Sequence, residues 1–407
     1  MSESAPASRH ESWLGGAPHD LAFTTRSRTL SYGELAERVA ALNLPATGPV
    51  YAVHEDPLVT LTLFYAAVAA NRTVVVSDPA RAMVQVSALQ GDTFLVAVTS
   101  GSSGRPRPVA RTASSWSESF IPLARLARLR RTDRVGLTGP LHATLHLFGA
   151  VHALWLGAHL TDVLTEATVV HCVPTVLMSL LASLPTGAPL RTAVVAGAAL
   201  DGATADRAAA RRIGIVEYYG ATELSFVAAR RVPEPLRAFP GVEIQVREQV
   251  LWSRSAYRAI GYTGDATGPM RIDDAGFATV GDLAVLTETG DLTIRGRSDA
   301  AISTGGSTVI AEDVEAVLQG LPGVRAAAVI GAPHPRLGEI VVAALELADG
   351  ANLATVRTSA RSVLGSAAMP RRWFVVESLP RTTVGKIARG RVASGLADGS
   401  LPAHGLA

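Results

Sequence analysis

The sequence predicts an α/β protein with parallel sheets. Short β-branched runs alternate with Ala- and Leu-rich helical patterns, as strands buried on both faces of a parallel sheet do. The predicted strands are Thr73–Val76, Phe94–Val98, Thr192–Val195, Gly214–Tyr218 and Ala326–Ile330. The predicted helices are Ser31–Leu42, Pro57–Ala70, Asp206–Arg212 and Ala311–Leu318.

The pattern changes between Ala238 and Arg297. Period-2 alternation with turn signals such as Asp274-Ala-Gly276 and Thr289-Gly290 predicts antiparallel hairpins in this part of the chain. A compact α+β segment follows, with a strand at Ile340–Leu347, so we expect a domain boundary at Gly296–Ala300. Both ends are polar, small or Gly- and Pro-containing, and we expect residues 1–12 and 397–407 to be disordered.

Length and charge limit the classes of function. A chain of 407 residues is long enough for two or three domains, and its net charge of +2 indicates neither a nucleic-acid footprint nor a polybasic membrane patch. The single cysteine, Cys172, excludes an internal disulfide and favours a reducing, cytoplasmic compartment. The longest apolar stretch, Leu58–Ala70, is shorter than the roughly 20 residues that a membrane span needs.

A Ser- and Gly-rich loop follows the strand Phe94–Val98. Its residues are Thr99, Ser100, Gly101, Ser102, Ser103, Gly104, Arg105, Pro106 and Arg107. Glycines allow the backbone to approach a ligand with its N–H groups pointing inward, hydroxyls add donors, and Arg107 adds positive charge, which together suit a polyphosphate. The loop lacks the Gly-Lys-Ser/Thr ending of a Walker loop. Taken alone, a Ser- and Gly-rich loop is usually only a flexible surface loop.

A second polar motif lies at the end of a predicted buried strand, in Val216–Glu223. Tyr219 could stack on a base, Thr222 could contact a phosphate, and the Glu223 carboxylate suits Mg²⁺. The alternative is a helix start, with Thr222 as the cap and Glu223 in the first turn.

Four further segments follow in order. They are Val280-Gly281-Asp282, Gly296-Arg297-Ser298-Asp299, Ile302-Ser-Thr-Gly305-Gly306 and Pro380–Ile387, which contains Gly385-Lys386. An acidic residue such as Asp282 could bind two ribose hydroxyls, although an ordinary turn Asp is the common alternative. For Lys386 the alternative is a solvated surface lysine.

In order and composition these segments resemble the adenylate-forming (AMP-binding) superfamily of acyl- and aryl-CoA synthetases, peptide-synthetase adenylation domains and luciferases. The resemblance covers roughly residues 20–395. It implies a large N-terminal domain of two α/β lobes plus a β subdomain, and a small mobile α+β C-terminal domain. On this basis we expect residues 13–296 to form the N-terminal domain, 297–299 the hinge and 300–396 the C-terminal domain.

The resemblance also implies roles for individual residues. Thr99–Arg107 would hold the β- and γ-phosphates of ATP, and Tyr219 with the adjoining Gly220 would bind adenine. Thr222 would contact the α-phosphate, Glu223 would bind Mg²⁺, and Asp282 and Arg297 would hold the ribose. Asp299 would be the hinge, Lys386 would bridge the substrate carboxylate and the ribose-side oxygens, and Gly305-Gly306 would line a tunnel for the pantetheine of coenzyme A.

Three departures from the family pattern stand out. The usual lysine of the phosphate loop is Arg107, which keeps the charge but is bulkier. The segment between Asp78-Pro79 and the phosphate loop is short, which resembles compact members such as the o-succinylbenzoate–CoA ligases. The family's Gly-Glu in the β subdomain is replaced by Gln249-Val250.

We expect the acid pocket behind Pro140-Leu141-His142, Leu147-Phe148-Gly149 and Ala196-Gly197-Ala198. His142 lies where many acyl-CoA synthetases carry a gating histidine or aromatic residue, and a core histidine is the alternative. The segment Leu137–His159 contains no acidic residue, so the ammonium of a free α-amino acid would be unpaired there. Small apolar residues (Ala150, Ala153, Leu154) suggest an aryl or medium-length acyl acid.

The sequence therefore predicts an AMP-forming ligase that uses ATP, Mg²⁺ and a carboxylic acid, with coenzyme A as acceptor. The acceptor could instead be the phosphopantetheine of an acyl carrier protein, or an amine. A third hypothesis, a catalytically inactive nucleotide-binding homologue, is disfavoured because Lys386 and Glu223 are both present. We expect no nucleic-acid partner and no membrane span, and a homodimer is left open.

Overall fold

A computed structural model of the chain describes residues 13–81, 83, 84, 86, 89–98, 107–297, 301–304, 307–382 and 385–406. The helices are α1 (Tyr32–Ala40), α2 (Pro57–Ala69), α3 (Ser114–Ser117), α4 (Phe120–Ala127), α5 (Thr144–Leu156), α6 (Pro174–Ser183), α7 (Gly202–Ala210), α8 (Ala311–Gln319), α9 (Leu353–Val363) and α10 (Arg389–Asp398). A 3₁₀ turn covers Leu164–Glu166.

The strands of the first half are β1 (Leu21–Thr25), β2 (Arg28–Ser31), β3 (Val50–Tyr51), β4 (Val74–Val76), β5 (Leu95–Val98), β6 (Pro108–Arg111), β7 (Arg134–Gly136), β8 (His159–Thr161), β9 (Val169–Cys172), β10 (Thr192–Ala196), β11 (Gly214–Ala221), β12 (Ser225–Arg231) and β13 (Arg237–Ala238). Those of the second half are β14 (Glu243–Arg247), β15 (Val250–Arg254), β16 (Gly261–Tyr262), β17 (Arg271–Ile272), β18 (Ala278–Thr279), β19 (Asp282–Leu286), β20 (Leu292–Arg297), β21 (Ala301–Thr304), β22 (Ser307–Ile310), β23 (Val324–His334), β24 (Gly338–Leu347), β25 (Arg372–Val376) and β26 (Ala403–Leu406).

The chain packs as two compact units. The first contains the described residues within 13–98, 107–244 and 253–278, and the second contains those within 245–252 and 279–406. The predicted hinge residues 298–300 lie outside the described residues. The domain limits given above therefore stay predictions.

A nine-stranded sheet organises the first unit, in the order β13-β12-β11-β10-β9-β7-β8-β1-β2. Its inner strands β8, β7, β9, β10 and β11 are parallel, whereas β12 and β13 add to one edge antiparallel. The parallel centre confirms the predicted α/β class. The strands predicted at Thr192 and Gly214 are present, and β11 continues to Ala221.

A five-stranded sheet, in the order β16-β6-β5-β4-β3, forms the second layer of this unit. Strands β3, β4 and β5 are parallel, and β6 returns antiparallel to β5 with Pro108 opposite Val98. The two ends of the predicted phosphate loop are therefore adjacent. Residues 99–106 of that loop lie outside the described residues.

Local sequence signals account for several helix ends. Helix α1 begins with a capping box, in which Ser31 accepts from the Glu34 N–H and Glu34 accepts from the Ser31 N–H. Helix α2 begins at Asp56-Pro57, and α5 ends at Gly157 with φ 82°. Among the described residues, no helix combines the length and the apolar character that crossing a membrane would require.

Antiparallel hairpins fill the segment where we predicted them. Strand β19 pairs with β20 around the Gly290 turn, and β15 pairs with β18 and with β19. The turn between β14 and β15 places both Glu248 (φ 50°) and Gln249 (φ 65°) at positive φ. A non-glycine residue at Gln249 therefore adopts a backbone conformation that a glycine would accept without strain.

The second unit contains the sheet β22-β21-β24-β25-β26, with β23 also paired to β24. Helices α8 and α9 pack on one apolar face around Trp373, and α10 packs on the other around Val392. The expected disorder of residues 397–407 is wrong for Ala403–Leu406, which form β26 along the edge of β25. Backbone pairing with β25 stabilises this segment, and its composition gave no indication of it.

Candidate functional site

The predicted motif Val216–Glu223 ends in a tight turn between β11 and β12. Tyr219 and Gly220 lie within β11, and Thr222 and Glu223 form the turn that leads to Ser225. A Cβ on Gly220 would lie 2.0 Å from the Ser225 carbonyl oxygen, so only glycine fits there. The alternative interpretation, a helix cap at Thr222, is wrong because the chain returns directly into a strand.

The Glu223 carboxylate is buried and held by a hydrogen bond. Its residue is 7% exposed, and its Oε1 accepts from the Tyr262 hydroxyl at 2.8 Å. The Ala259 N–H also donates to the Glu223 backbone carbonyl at 2.8 Å. Burial and the nearby Glu223 carboxylate both raise the pKa of Tyr262, so its hydroxyl remains a donor.

Tyr262 connects the two sheets of the first unit. It lies in β16, opposite Val109 of β6, whereas Glu223 follows β11 of the nine-stranded sheet. Arg107, the last residue of the predicted phosphate loop, directly precedes β6, and its charge partly opposes the rise in the pKa of the Tyr262 hydroxyl that burial and Glu223 cause. The structure therefore brings Arg107, Tyr262 and Glu223 to one region.

A buried arginine lies behind the turn. Arg111 is 1% exposed and donates to the backbone carbonyls of Thr222 and Tyr257. Burial lowers the pKa of Arg111 to about 9, and the Glu223 carboxylate acts in the opposite direction. Even at that pKa the guanidinium is charged at neutral pH, and it supplies the positive charge that a buried carboxylate requires.

Helix α5 begins beside the same turn. The hydroxyls of Thr144, its first residue, and of Thr222 are 3.4 Å apart. The Ala143 cap position makes no side-chain hydrogen bond to the helix. The first N–H groups of a helix carry partial positive charge and attract anions, so α5 adds to a positive environment next to Thr222.

No sequence motif indicated Tyr262, Arg111 or Thr144 as members of this site. The usable signal was weak: Arg111 is a charged residue in the otherwise apolar strand Pro108–Arg111. Tyr262 follows a glycine in the two-residue strand β16, which is too short to give a periodic pattern. Their sequence separations from the turn, 39 residues for Tyr262 and 111 for Arg111, explain why a local pattern did not indicate them.

The other predicted nucleotide ligands lie in the second unit. Asp282 begins β19, and its antiparallel partner across the ladder is Arg297, the last residue of β20. The two residues predicted to hold the ribose are thus cross-strand neighbours. Gly281 precedes Asp282 at φ 83°, and its N–H donates to the Thr279 hydroxyl at 3.0 Å.

Lys386 is exposed on a tight turn of the same unit. The Thr382 N–H donates to the Lys386 carbonyl at 2.7 Å, and the Lys386 N–H donates to the Thr382 hydroxyl at 3.2 Å. Gly385 allows this turn with φ 82°. Asp299, Gly305 and Gly306 lie outside the described residues, as do Thr99, Ser100, Gly101, Ser102, Ser103 and Gly104.

The predicted acid-pocket residues have different surroundings. His142 Nε2 lies 3.9 Å from the Asp78 carboxylate; burial lowers the pKa of His142, and Asp78 opposes this. Phe148 is buried in an aromatic core against Trp116 and Phe226, with ring centroids 5.4 and 5.0 Å away.

Two further residues that we predicted to line the acid pocket, Ala196 and Gly197, lie at the end of β10. Ala196 is its buried last residue, and Gly197 follows, exposed, at φ 91°. A small cavity lies nearby in the first unit, between β7, β9 and α5, and among the residues that line it are Thr138, His146, Gly149, Ala150 and His171.

Comparison with known proteins gives two family matches. A sequence family described as AMP-binding enzyme matches residues 47–250, and one described as AMP-binding enzyme C-terminal domain matches residues 313–386. An uncharacterized acyl–CoA ligase of Bacillus subtilis is 30% identical over 338 residues, covering 75% of this chain and 69% of the relative. A probable 2-succinylbenzoate–CoA ligase of Mycobacterium tuberculosis is 30% identical over 340 residues, covering 74% and 84%.

A solved structure shows the same fold. The ATP-bound MatB of Rhodopseudomonas palustris aligns with a TM-score of 0.81 at 23% identity, covering 94% of this chain and 96% of that one. The predicted architecture, a large α/β N-terminal domain followed by a small C-terminal domain, is confirmed by this likeness together with the two family matches.

Proposed function

Because the chain belongs to the AMP-binding enzyme family, we propose that it is an AMP-forming acid–CoA ligase. A carboxylate oxygen of the acid attacks the α-phosphorus of ATP, the bond from that phosphorus to the bridging oxygen breaks, and pyrophosphate leaves. The thiol of coenzyme A then attacks the acyl carbon of the acyl-AMP. AMP leaves with the bond electrons, and the thiol proton passes to solvent. Relatives that are named as CoA ligases support this acceptor.

The observation that carries the proposal is the Thr222–Glu223 turn. Two anions, a carboxylate and a triphosphate, must meet at the α-phosphorus, so the site has to supply fixed positive charge and oriented donors. Arg107, the start of α5 and the buried Arg111 supply such charge around the turn. Thr222 offers its hydroxyl to the α-phosphate within this setting.

We also propose the nucleotide roles that the resemblance implies. Arg107 and the preceding loop, residues 99–106, bind the β- and γ-phosphates, and Tyr219 packs against adenine. Asp282 and Arg297, which face each other across β19 and β20, hold the ribose. Lys386 contacts the substrate carboxylate during adenylation.

The residues at the turn suit Mg²⁺. The Glu223 carboxylate and Thr222 hydroxyl are the hard oxygen ligands that this ion prefers. Mg²⁺ is commonly bound by one or two carboxylates together with substrate phosphates, and Glu223 would supply such a carboxylate. When bound there, Mg²⁺ would neutralise phosphate charge.

We propose a second role for the C-terminal domain. After pyrophosphate leaves, the domain rotates about Asp299, withdraws Lys386 and presents Gly305-Gly306 to the pantetheine arm. The turn that carries Lys386 is held by a backbone bond from Thr382 to Lys386 and by a bond from the Lys386 N–H to the Thr382 hydroxyl, so the turn can move as one piece.

The acceptor is tested by AMP release. Purified protein is incubated with ATP and a panel of carboxylic acids, with coenzyme A, holo acyl carrier protein or simple amines as separate acceptors. We expect coenzyme A to stimulate AMP release and acyl-CoA to be recovered by mass spectrometry. Stimulation by carrier protein or amine alone, with none by coenzyme A, would assign the enzyme to the alternative acceptor.

A further inference from the structure

His171 occupies an unusual place in the nine-stranded sheet. It lies in β9, where Val170 and Cys172 point into an apolar cluster with α6 and α7. Because side chains alternate along a strand, His171 points to the opposite face, toward α5. Gly149 of α5 packs on its ring: a Cβ at that glycine would lie 2.8 Å from the His171 Cγ.

The His171 ring is buried and has no hydrogen-bond partner among the described residues. The residue is 3% exposed, and neither Nδ1 nor Nε2 bonds to any described residue. Burying unpaired polar atoms costs free energy, and an aliphatic side chain would fill the same space without that cost. The ring nitrogens of His152, which is also buried, have no described partner either, so the feature that distinguishes His171 is the cavity beside it.

The cavity between β7, β9 and α5 provides room for such a partner. Thr138 and His146 line it together with His171, and the space accepts a group of about the size of one water molecule. The Thr138 hydroxyl lies 3.4 Å from His146 Nδ1 and donates to the His171 backbone carbonyl at 2.5 Å. Three polar side chains thus surround one small space inside an otherwise apolar region.

The chemistry of the lining selects a neutral group. The described residues that line the cavity include no Arg, Lys, Asp or Glu. A carboxylate or ammonium there would be a buried charge without a counter-ion, which is strongly disfavoured. A neutral imidazole has one N–H donor and one acceptor nitrogen, and a hydroxyl, which both donates and accepts, matches it in size and bonding.

Helix α5 runs past both this cavity and the reacting end of the site. Thr144 at its start lies beside Thr222, and Gly149 at the cavity lies five residues later. At 1.5 Å rise per residue the two positions are separated by about 7.5 Å along the helix. A short or medium acyl chain that is activated at Thr222 spans such a distance.

We propose that the acid activated by this enzyme carries a hydroxyl group on its acyl chain, and that Thr138, His146 and His171 hold that hydroxyl in the cavity. This inference rests on the proposed function, because it requires adenylation at Thr222. It makes His171 a specificity-determining residue. It also distinguishes a hydroxy acid from a dicarboxylic acid of the same length.

The test uses acid-dependent ATP–pyrophosphate exchange with matched acids. Each pair consists of an unsubstituted acid and its hydroxylated counterpart, straight-chain or aromatic, with the dicarboxylic acid of equal length as a third member. For the wild-type protein we expect the best hydroxy acid to exceed its unsubstituted partner in kcat/KM by about tenfold, the value of one well-made hydrogen bond. His171→Leu should remove the preference while exchange with unsubstituted acids continues, and His171→Asn should retain part of it.

Several outcomes would overturn the inference without affecting the proposed function. These are equal use of both members of each pair by the wild type, a preference for the dicarboxylic acid, or an unchanged hydroxyl preference in folded His171→Leu. If His171→Leu fails to fold, the comparison of hydroxylated and unsubstituted acids with the wild-type protein decides whether the inference holds. No exchange with any acid would instead refute adenylation, and the inference would fall with it.

Discussion

The Tyr262 hydroxyl donates a 2.8 Å hydrogen bond to Oε1 of the buried Glu223 carboxylate. This bond joins the edge of the five-stranded sheet to the turn between β11 and β12, and it orients the one carboxylate at that turn. Neither the Val216–Glu223 motif nor the sequence around Tyr262 predicts this bond. It gives the first prediction.

Tyr262→Phe should slow adenylation about tenfold, with the free energy of unfolding reduced by no more than about 1 kcal/mol. The change removes one hydrogen bond and leaves the ring in place, so Glu223 loses its orientation but the fold remains. Pyrophosphate exchange at saturating ATP and acid measures the effect. Tyr32→Phe is the matched control, since its buried hydroxyl donates to the Ala158 carbonyl at 2.6 Å, away from the turn. Equal exchange rates in the two variants would contradict the role of Tyr262.

Arg111→Met should destabilise the first unit by about 2–3 kcal/mol and reduce exchange more than Tyr262→Phe does. The carbonyls of Thr222 and Tyr257 lose a charged donor, and the Glu223 carboxylate loses its buried counter-charge. Urea unfolding followed by circular dichroism measures the stability. Arg111→Lys restores the charge but cannot donate to both carbonyls in the same geometry, so it should recover only part of the lost stability and exchange activity. Full recovery by lysine would show that charge alone is required.

Lys386→Ala should lower acid-dependent exchange a hundredfold or more, while ATP binding measured by calorimetry stays within about twofold. A charge that acts mainly in the transition state affects the rate and not the ground-state affinity. Lys386 is the chain's one lysine, so an amine-reactive reagent will modify no other side-chain amine.

The control for Lys386→Ala is transfer from supplied acyl-AMP to coenzyme A, which should proceed at close to the wild-type rate. Exchange that survives the substitution would remove Lys386 from the adenylation step.

Acid should destabilise the protein below about pH 6.5 because three buried histidines are neutral in the folded state. Burial lowers the pKa of His146 and His152 to about 4 and that of His171 to about 3. The unfolded chain takes up protons near pH 6.5 and the folded chain does not, so this stability is present above pH 6.5 and is lost as the pH falls.

The expected slope from the three histidines is at most about 4 kcal/mol per pH unit between pH 6 and 4, from three protons at 1.36 kcal/mol each. Urea midpoints at several pH values measure it. His171→Leu should reduce the slope by the contribution of one proton, about 1.36 kcal/mol per pH unit. The titration of carboxylates is the same in both proteins and does not affect this difference. An unchanged slope in this variant would show that His171 is protonated, or solvated, in the folded state.

Sequence patterns predicted the features that are determined locally. The buried strands and the Ala- and Leu-rich helices were predicted because the residues that favour each of them are close together in the sequence, as in the helix that follows Ser31. The turn at Thr222 was open to two interpretations, because strand β12, which excludes a helix there, could not be predicted from the motif itself. Strand β26 was missed for a similar reason: its stability comes from β25, not from its own composition.

The residues of the candidate site also divide into those that a local motif indicates and those that only the folded structure brings to the turn. Arg107, Thr222 and Glu223 carried recognisable motif signals, whereas Arg111 and Thr144 reach the turn only through the packing of separate sheets and helices. The polar lining around His171 is likewise a product of strand alternation and helix packing. Such contacts join residues tens of positions apart, and no local periodicity reports them.

The most direct test of the account is the fate of isotopic oxygen from the acid. An acid labelled with ¹⁸O in its carboxylate is converted with ATP and coenzyme A, and the nucleotide product is analysed by mass spectrometry. Attack of the carboxylate on the α-phosphorus predicts AMP that carries one labelled oxygen, together with acyl-CoA and unlabelled pyrophosphate. Unlabelled AMP, or ADP with labelled phosphate, would contradict an acyl-adenylate and with it the assignment of this site.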